Sequence, residues 1–316
     1  MPTTTSLVSA TFPSELLLQT IQSLPFGDGK PIQQLSLVHP RLRSLIATYQ
    51  CSVTKSFIKR ELPHATTDFA YDAATFGYAW LKQCIRQYDT VDAIMAVLMS
   101  KANCFAVESH NMGLVNTGLL MLYRVVSLEK HAARVTYINS LPRDPLTAMF
   151  LAMHYSILAA RYHGAGIIHQ RTYGRAMDAH QLAVRDNIEF CFAEAALSIG
   201  PGFVSDVLTH VDAADRTLLL LYHDHAHGIH DHDRGRDGLP GEFVAPVTQG
   251  PEWDPTTRET PLFATLLARL AVLSRCAVED VRDRVVGDSE DEEHELAWLG
   301  LAGKEKLVQG RDLAGM

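Results

Sequence analysis

Residues 12–25 read FPSELLLQTIQSLP. Phe-Pro opens the stretch, Leu-Pro closes it, and the ten residues between them have helical spacing. Leu17, Ile21 and Leu24 fall at i, i+4 and i+7 and form one stripe. Leu16 and Leu18 lie to its sides, so three consecutive leucines make the helix apolar on more than one face. One face can pack on the chain itself, and the other needs cover from elsewhere. Ser14 is placed to cap the helix, and Glu15 puts a negative charge in its first turn, where the backbone dipole favours it.

Outward from this stretch, FGDGKP makes a turn after Pro25. A short helix is predicted from about Pro31, carrying Leu35, Leu37 and Val38. A longer one starts at Pro40 and runs through HPRLRSLIATYQCSVTKSFIKREL. Its Leu42, Leu45, Ile46, Tyr49, Val53, Phe57 and Ile58 keep a helical period. Residues 1–62 thus read as a unit of three helices. A unit this small buries too little surface to be stable by itself, so the rest of the chain or a partner must support it.

The remainder, residues 69–316, is helical in pattern almost throughout. Segments 73–88, 92–105, 114–126, 144–162, 177–198, 204–223 and 261–273 each repeat apolar residues at i, i+3 and i+4. Pro145 and Pro261 suit first helical turns, and Ser205-Asp206 or Asp144 suit caps. Trp80, Tyr88, Phe150, Tyr155 and Tyr162 are expected in the core. SIGPG (198–202) reads as a helix stop and HGAGIIH (163–169) as a helix end and turn. Alternating strand patterns are nearly absent, and no repeat of fixed period occurs. The acidic run DSEDEEHE (288–295) reads as a solvated helix start before LAWLGL. From about 224 to 261 the chain is rich in Gly, Pro and His, without periodicity, and reads as a long loop. The expected fold class is all-α: a three-helix N-terminal unit, then a larger irregular helical domain with one long loop.

The N-terminal pattern resembles an F-box. That family carries Leu-Pro, then Glu-Leu, then Ile-x-x-x-Leu near the first helix's end, and later a Leu-x-Leu-Val block followed by Leu or Trp and Arg. The matching residues are Phe12-Pro13, Glu15-Leu16, Ile21, Leu24-Pro25, Leu35-Ser36-Leu37-Val38 and Leu42-Arg43. Phe12 replaces the usual Leu, Leu42 stands where many members have Trp, and the turn before Lys30 is longer. The wording LVHPRLRSLI is similar to fungal F-boxes in particular. The resemblance spans roughly residues 12–58. It implies a non-catalytic adaptor that binds the Skp adaptor of a cullin–RING ubiquitin ligase and, through it, cullin, while the rest of the chain presents a protein substrate. By motif position, the implied adaptor-binding residues are Pro13, Leu16, Leu17, Ile21, Leu24, Pro25, Leu37, Val38 and Leu42. The plainer alternative is a helical N-terminal cap without a ubiquitin-ligase role.

Composition narrows the remaining classes. The 316 residues carry a net charge of −8, which disfavours binding to nucleic acid or to an acidic membrane. A helix-turn-helix DNA reader is disfavoured too, because Arg41 and Arg43 lie at one end of their predicted helix and Lys55, Lys59 and Arg60 at the other. Five scattered cysteines, never spaced as CxxC, argue against a disulfide framework or a thiolate zinc site. No leader or spanning segment stands out, so a cytoplasmic or nuclear location is expected. No cofactor is implied.

One cluster competes for a chemical role. LLLLYHDHAHGIHDHD (218–233) holds His223, His225, His227, His230 and His232, with aspartates between them. If the preceding helix continues to His227, then His223 and His227 share a face at i, i+4, a spacing that chelates zinc. With Asp224 this gives H-D-x-x-H, similar to the H-E-x-x-H of zinc peptidases, and His230 or His232 is a candidate third ligand. A zinc-dependent hydrolase is the alternative function. The plainer reading is a solvated, compositionally biased loop.

Overall fold

The computed structural model describes residues 12–71, 75–103, 108–163, 166–173, 177–227 and 260–313. The described residues form α-helices and short 3-10 turns, with no strand among them, so the fold is all-α. The chain divides into two compact units, Met1–Asp92 and Ala93–Met316.

In the N-terminal unit, α1 spans Ser14–Ser23, α2 Lys30–Val38, α3 Pro40–Thr48 and α4 Gln50–Glu61. The long helix expected from Pro40 is therefore two helices. Tyr49 leaves helical geometry at φ −104° and ψ 18°, and the chain bends there while its apolar period continues. Pro13 takes the cap position of α1, so Ser14 does not cap. Its hydroxyl instead accepts a hydrogen bond from Arg41 at 3.3 Å. The turn before α2 is tight. Gly27 and Gly29 have φ of 39° and 82°, and Asp28 joins them in the left-handed region at 47°. Proline in the first turn then starts both α2 and α3.

The same unit continues beyond residue 62 through α5 (Ala65–Asp68) and the first part of α6 (Tyr78–Leu98). Tyr78 donates its hydroxyl to the carbonyl of Ile46 at 3.3 Å, and its ring lies 6.2 Å from that of Phe26. These residues supply the apolar cover that the first four helices lack. Helix α6 joins what the pattern divides into 73–88 and 92–105. Asp89 between those segments and Asp92 at the start of the second are exposed and do not stop it.

The C-terminal unit is built on α7 (Met112–Val126) and α9 (Arg143–His163). Almost every side chain from Leu146 to Ile157 is buried, as expected of a central helix apolar all round. Gly118 lets α7 approach α9 closely. A Cβ there would run into the carbonyl of Ala148 and lie 2.8 Å from Ala152 Cβ. Around this pair lie α8 (His131–Ser140), α10 (Ala179–Ser198), α11 (Pro201–Leu208), α12 (Asp212–His227), α13 (Leu262–Ser274), α14 (Val281–Ser289) and α15 (Leu301–Val308). Asp178 caps α10 through a reciprocal capping box with Gln181.

Several local expectations change. Segment 204–223 breaks into α11 and α12 because His210 turns left-handed at φ 62°. Ser205 and Asp206 consequently lie inside α11 and cap nothing. Pro261 takes the cap position of α13, one residue before its first turn. The acidic run starts no helix. It lies at the end of α14 and in the turns that follow. There the Ser289 carbonyl accepts from His110 Nε2 at 2.7 Å and Asn111 Nδ2 at 2.9 Å. Trp80, Phe150 and Tyr155 are buried, but Tyr88 is half-buried and Tyr162 is exposed. SIGPG is a helix stop, with Gly200 at φ 104° between α10 and α11.

Candidate functional site

The residues singled out in the N-terminal unit separate by burial. Leu17, Ile21 and Leu42 are 6%, 2% and 8% exposed and belong to that unit's own core. Leu24 is half-buried. Pro13, Leu16, Pro25, Leu37 and Val38 are exposed, Leu37 by 69% and Val38 by 72%. Helix α1 thus turns Leu17 and Ile21 inward and Leu16 outward, which accounts for its consecutive leucines. Leu37 and Val38 end α2 side by side in solvent, where large apolar residues gathered together mark a contact surface.

Arg41 ties the start of α1 to the turn between α2 and α3. Its guanidinium donates to the carbonyl of Phe12, while its backbone N–H donates to His39 Nδ1 at 3.1 Å. The start of α1 is thereby strapped to the junction of α2 and α3, which Leu37 and Val38 precede in sequence. Arg60 performs the same task at the other end of α1, donating to the carbonyls of Gln22 and Leu24. Those carbonyls are among the four a helix end leaves unsatisfied. Glu61 accepts the backbone N–H of Phe26 at 3.2 Å, and Phe26 is fully buried against Phe57. Sequence spacing did not reveal Phe26, because it sits in a turn, outside any helical period.

Helix α12 continues to His227, so the H-D-x-x-H occupies its last turns. His223 Nδ1 lies 3.6 Å from Asp224 Oδ1. His225 points elsewhere: its ring stacks on Phe190, with centroids 5.0 Å apart. The side chain of His227 and all of residues 228–259, His230 among them, lie outside the described residues. Among the described residues no three His, Cys, Asp or Glu side chains cluster as metal ligands. Two of the cysteines, Cys84 and Cys191, are buried, and burial pushes their thiols up to about 12, so neither is a nucleophile at neutral pH.

A cleft of about 430 Å³ opens within the C-terminal unit, between α9, α10, α13 and the start of α14. Its walls carry Phe150, Phe190, Phe263, Ile157 and Leu267. Arg161 and Glu189 face each other there in a bidentate ion pair, with side chains 8% and 11% exposed. His154 lines the same cleft, its ring stacked on Phe150 at 5.9 Å. Burial, reinforced by Arg282 and Arg161, pushes His154 down to about 3, so the imidazole is neutral. Nothing local signalled this cleft. Its walls come from helices distant in sequence, and each aromatic read singly as core.

Glu194, one turn beyond Phe190 on α10, accepts the backbone N–H groups of Leu262 at 3.0 Å and Phe263 at 2.8 Å. It therefore caps α13 from a neighbouring helix. No described helix is long and apolar enough to cross a membrane. No protein-family model, curated protein or solved structure matches this chain.

Proposed function

We propose that the N-terminal unit is an F-box-like docking module that binds the Skp adaptor of a cullin–RING ubiquitin ligase, and that the C-terminal helical unit presents a protein substrate. On this reading the protein is a non-catalytic subunit. The observation that carries it is the outward display of Leu16, Leu37 and Val38 over a core made by Leu17, Ile21 and Leu42. A plain packed cap would hide all six. Exposed apolar side chains such as these suit a protein–protein contact, where a few desolvated anchors carry most of the affinity.

Co-purification of the full chain with a Skp adaptor tests the proposal. Wild type should form a stable complex. Leu37→Asp with Val38→Asp should weaken it by more than about tenfold, because burying one large aliphatic side chain is worth roughly 1.5–3 kcal/mol. Both residues are exposed, so the variant keeps its fold, checked by its helical circular dichroism. Failure of wild type to bind, or unchanged binding by the variant, refutes the reading.

A further inference from the structure

The cleft between α9, α10 and α13 has a property that the packing of a core does not require. His154 is nine-tenths buried and makes no hydrogen bond to any described residue, yet neither ring nitrogen is among the fully enclosed unpaired atoms. The ring nitrogens are therefore open to solvent along the cleft that the ring lines. The ring lines a cavity of about 430 Å³, within the range that takes small ligands. A ligand group that hydrogen-bonds the imidazole therefore has room to replace the solvent there.

The charges define what can enter. Arg161 and Glu189 compensate one another, and Arg185 Nε lies 3.6 Å from Glu189 Oε1 as well. Arg185 also lies 3.7 Å from Asp186. The two remaining charged groups, Glu279 and Arg282, are exposed, are opposite in sign and form no ion pair with any described residue. Glu279 and Arg282 keep their own water, so the buried part of the cleft holds only the mutually paired Arg161 and Glu189. A charged group placed in that part would lose its hydration with no unpaired counter-ion beside it. Phe150, Phe190 and Phe263 instead offer ring faces and edges, and Phe190 and Phe263 already meet edge to face at 5.5 Å.

We propose that this cleft binds an uncharged aromatic small molecule whose one hydrogen-bonding group meets the imidazole of His154. The neutral ring can serve as donor at one nitrogen and acceptor at the other, so a hydroxyl or amide on the ligand suffices. The site lies wholly in the C-terminal unit and does not depend on whether the N-terminal unit binds an adaptor.

The full chain titrated with 2-naphthol, naphthalene and 2-naphthoate at neutral pH tests this, with binding followed by ligand fluorescence or calorimetry. Wild type should bind 2-naphthol saturably, one molecule per chain, and 2-naphthoate about tenfold more weakly or worse. His154→Phe should lower the affinity for 2-naphthol by about tenfold and leave that for naphthalene unchanged. Leu267→Trp, at a half-buried wall position, should fill the cleft and abolish binding of both. The proposal fails if wild type binds no 2-naphthol saturably, if the naphthoate binds as well as the naphthol, or if either variant binds 2-naphthol as wild type does. Circular dichroism identifies a misfolded variant, and the three-ligand comparison on wild type then decides alone.

Discussion

The ring of Phe26 rests on the ring of Phe57 with centroids 5.2 Å apart and planes tilted by 59°. This contact joins a turn to the last helix of the first four, and both rings are fully buried. Phe26→Ala should cost about 3–5 kcal/mol, the usual loss for a large buried aromatic. Trypsin digestion reads it directly. Cleavage at Arg41, Arg43, Lys55 and Lys59 should become rapid in the variant, while the C-terminal unit resists as before.

Gly118→Ala should destabilise the C-terminal unit by about 1–3 kcal/mol, since the added methyl group meets the backbone of α9 and cannot rotate away. Urea denaturation followed by circular dichroism should show a lower midpoint with little change in slope.

Glu189→Gln should be costly beyond its small change in size. It leaves the Arg161 guanidinium buried without a counter-charge, a loss of about 3–5 kcal/mol. Replacing both partners, Arg161→Met with Glu189→Leu, should recover most of that. Denaturation of Arg161→Met, Glu189→Leu and the double variant closes the cycle, and additive losses would contradict the pairing.

His154 fixes a pH dependence. Its folded value, about 3, lies below the ordinary 6.5, so between these limits the unfolded chain binds the extra proton. Stability contributed by the neutral ring is complete above the upper limit and falls as pH is lowered towards the lower one, by up to about 1.4 kcal/mol per pH unit. Buried carboxyls such as Glu194, which burial raises, act in the opposite sense. The difference between wild type and His154→Phe isolates the histidine. The advantage of the phenylalanine variant should grow as pH drops from 6 to 4.

The helical class was plain from spacing because most long helices have one wet side and a stripe of apolar residues, and the central α9 is apolar over a run too long for a strand. Boundaries were harder. Tyr49 and His210 end helices through backbone geometry, without a glycine or proline to announce it, while Asp89 and Asp92 look like a break yet sit harmlessly on the wet side of α6. The docking surface was legible as a set of residues but not as a surface. Leu16 and Leu17 are equally apolar, and only the rotation of α1 on its neighbours decides which is covered. The cleft was not legible at all. Arg161 and Glu189 are ordinary surface types whose meeting depends on how α9 and α10 cross.

Phe190 and Glu194 stand one turn apart on α10, about 6 Å along its axis. Phe190 holds His225 near the end of α12, and Glu194 holds the first residues of α13. A single helical turn of α10 thus fixes both the last turns of α12 and the first of α13. That makes this turn a pin common to both helices, and a change of chain length between residues 227 and 260 should leave either contact intact, because closure entropy rises only slowly with length.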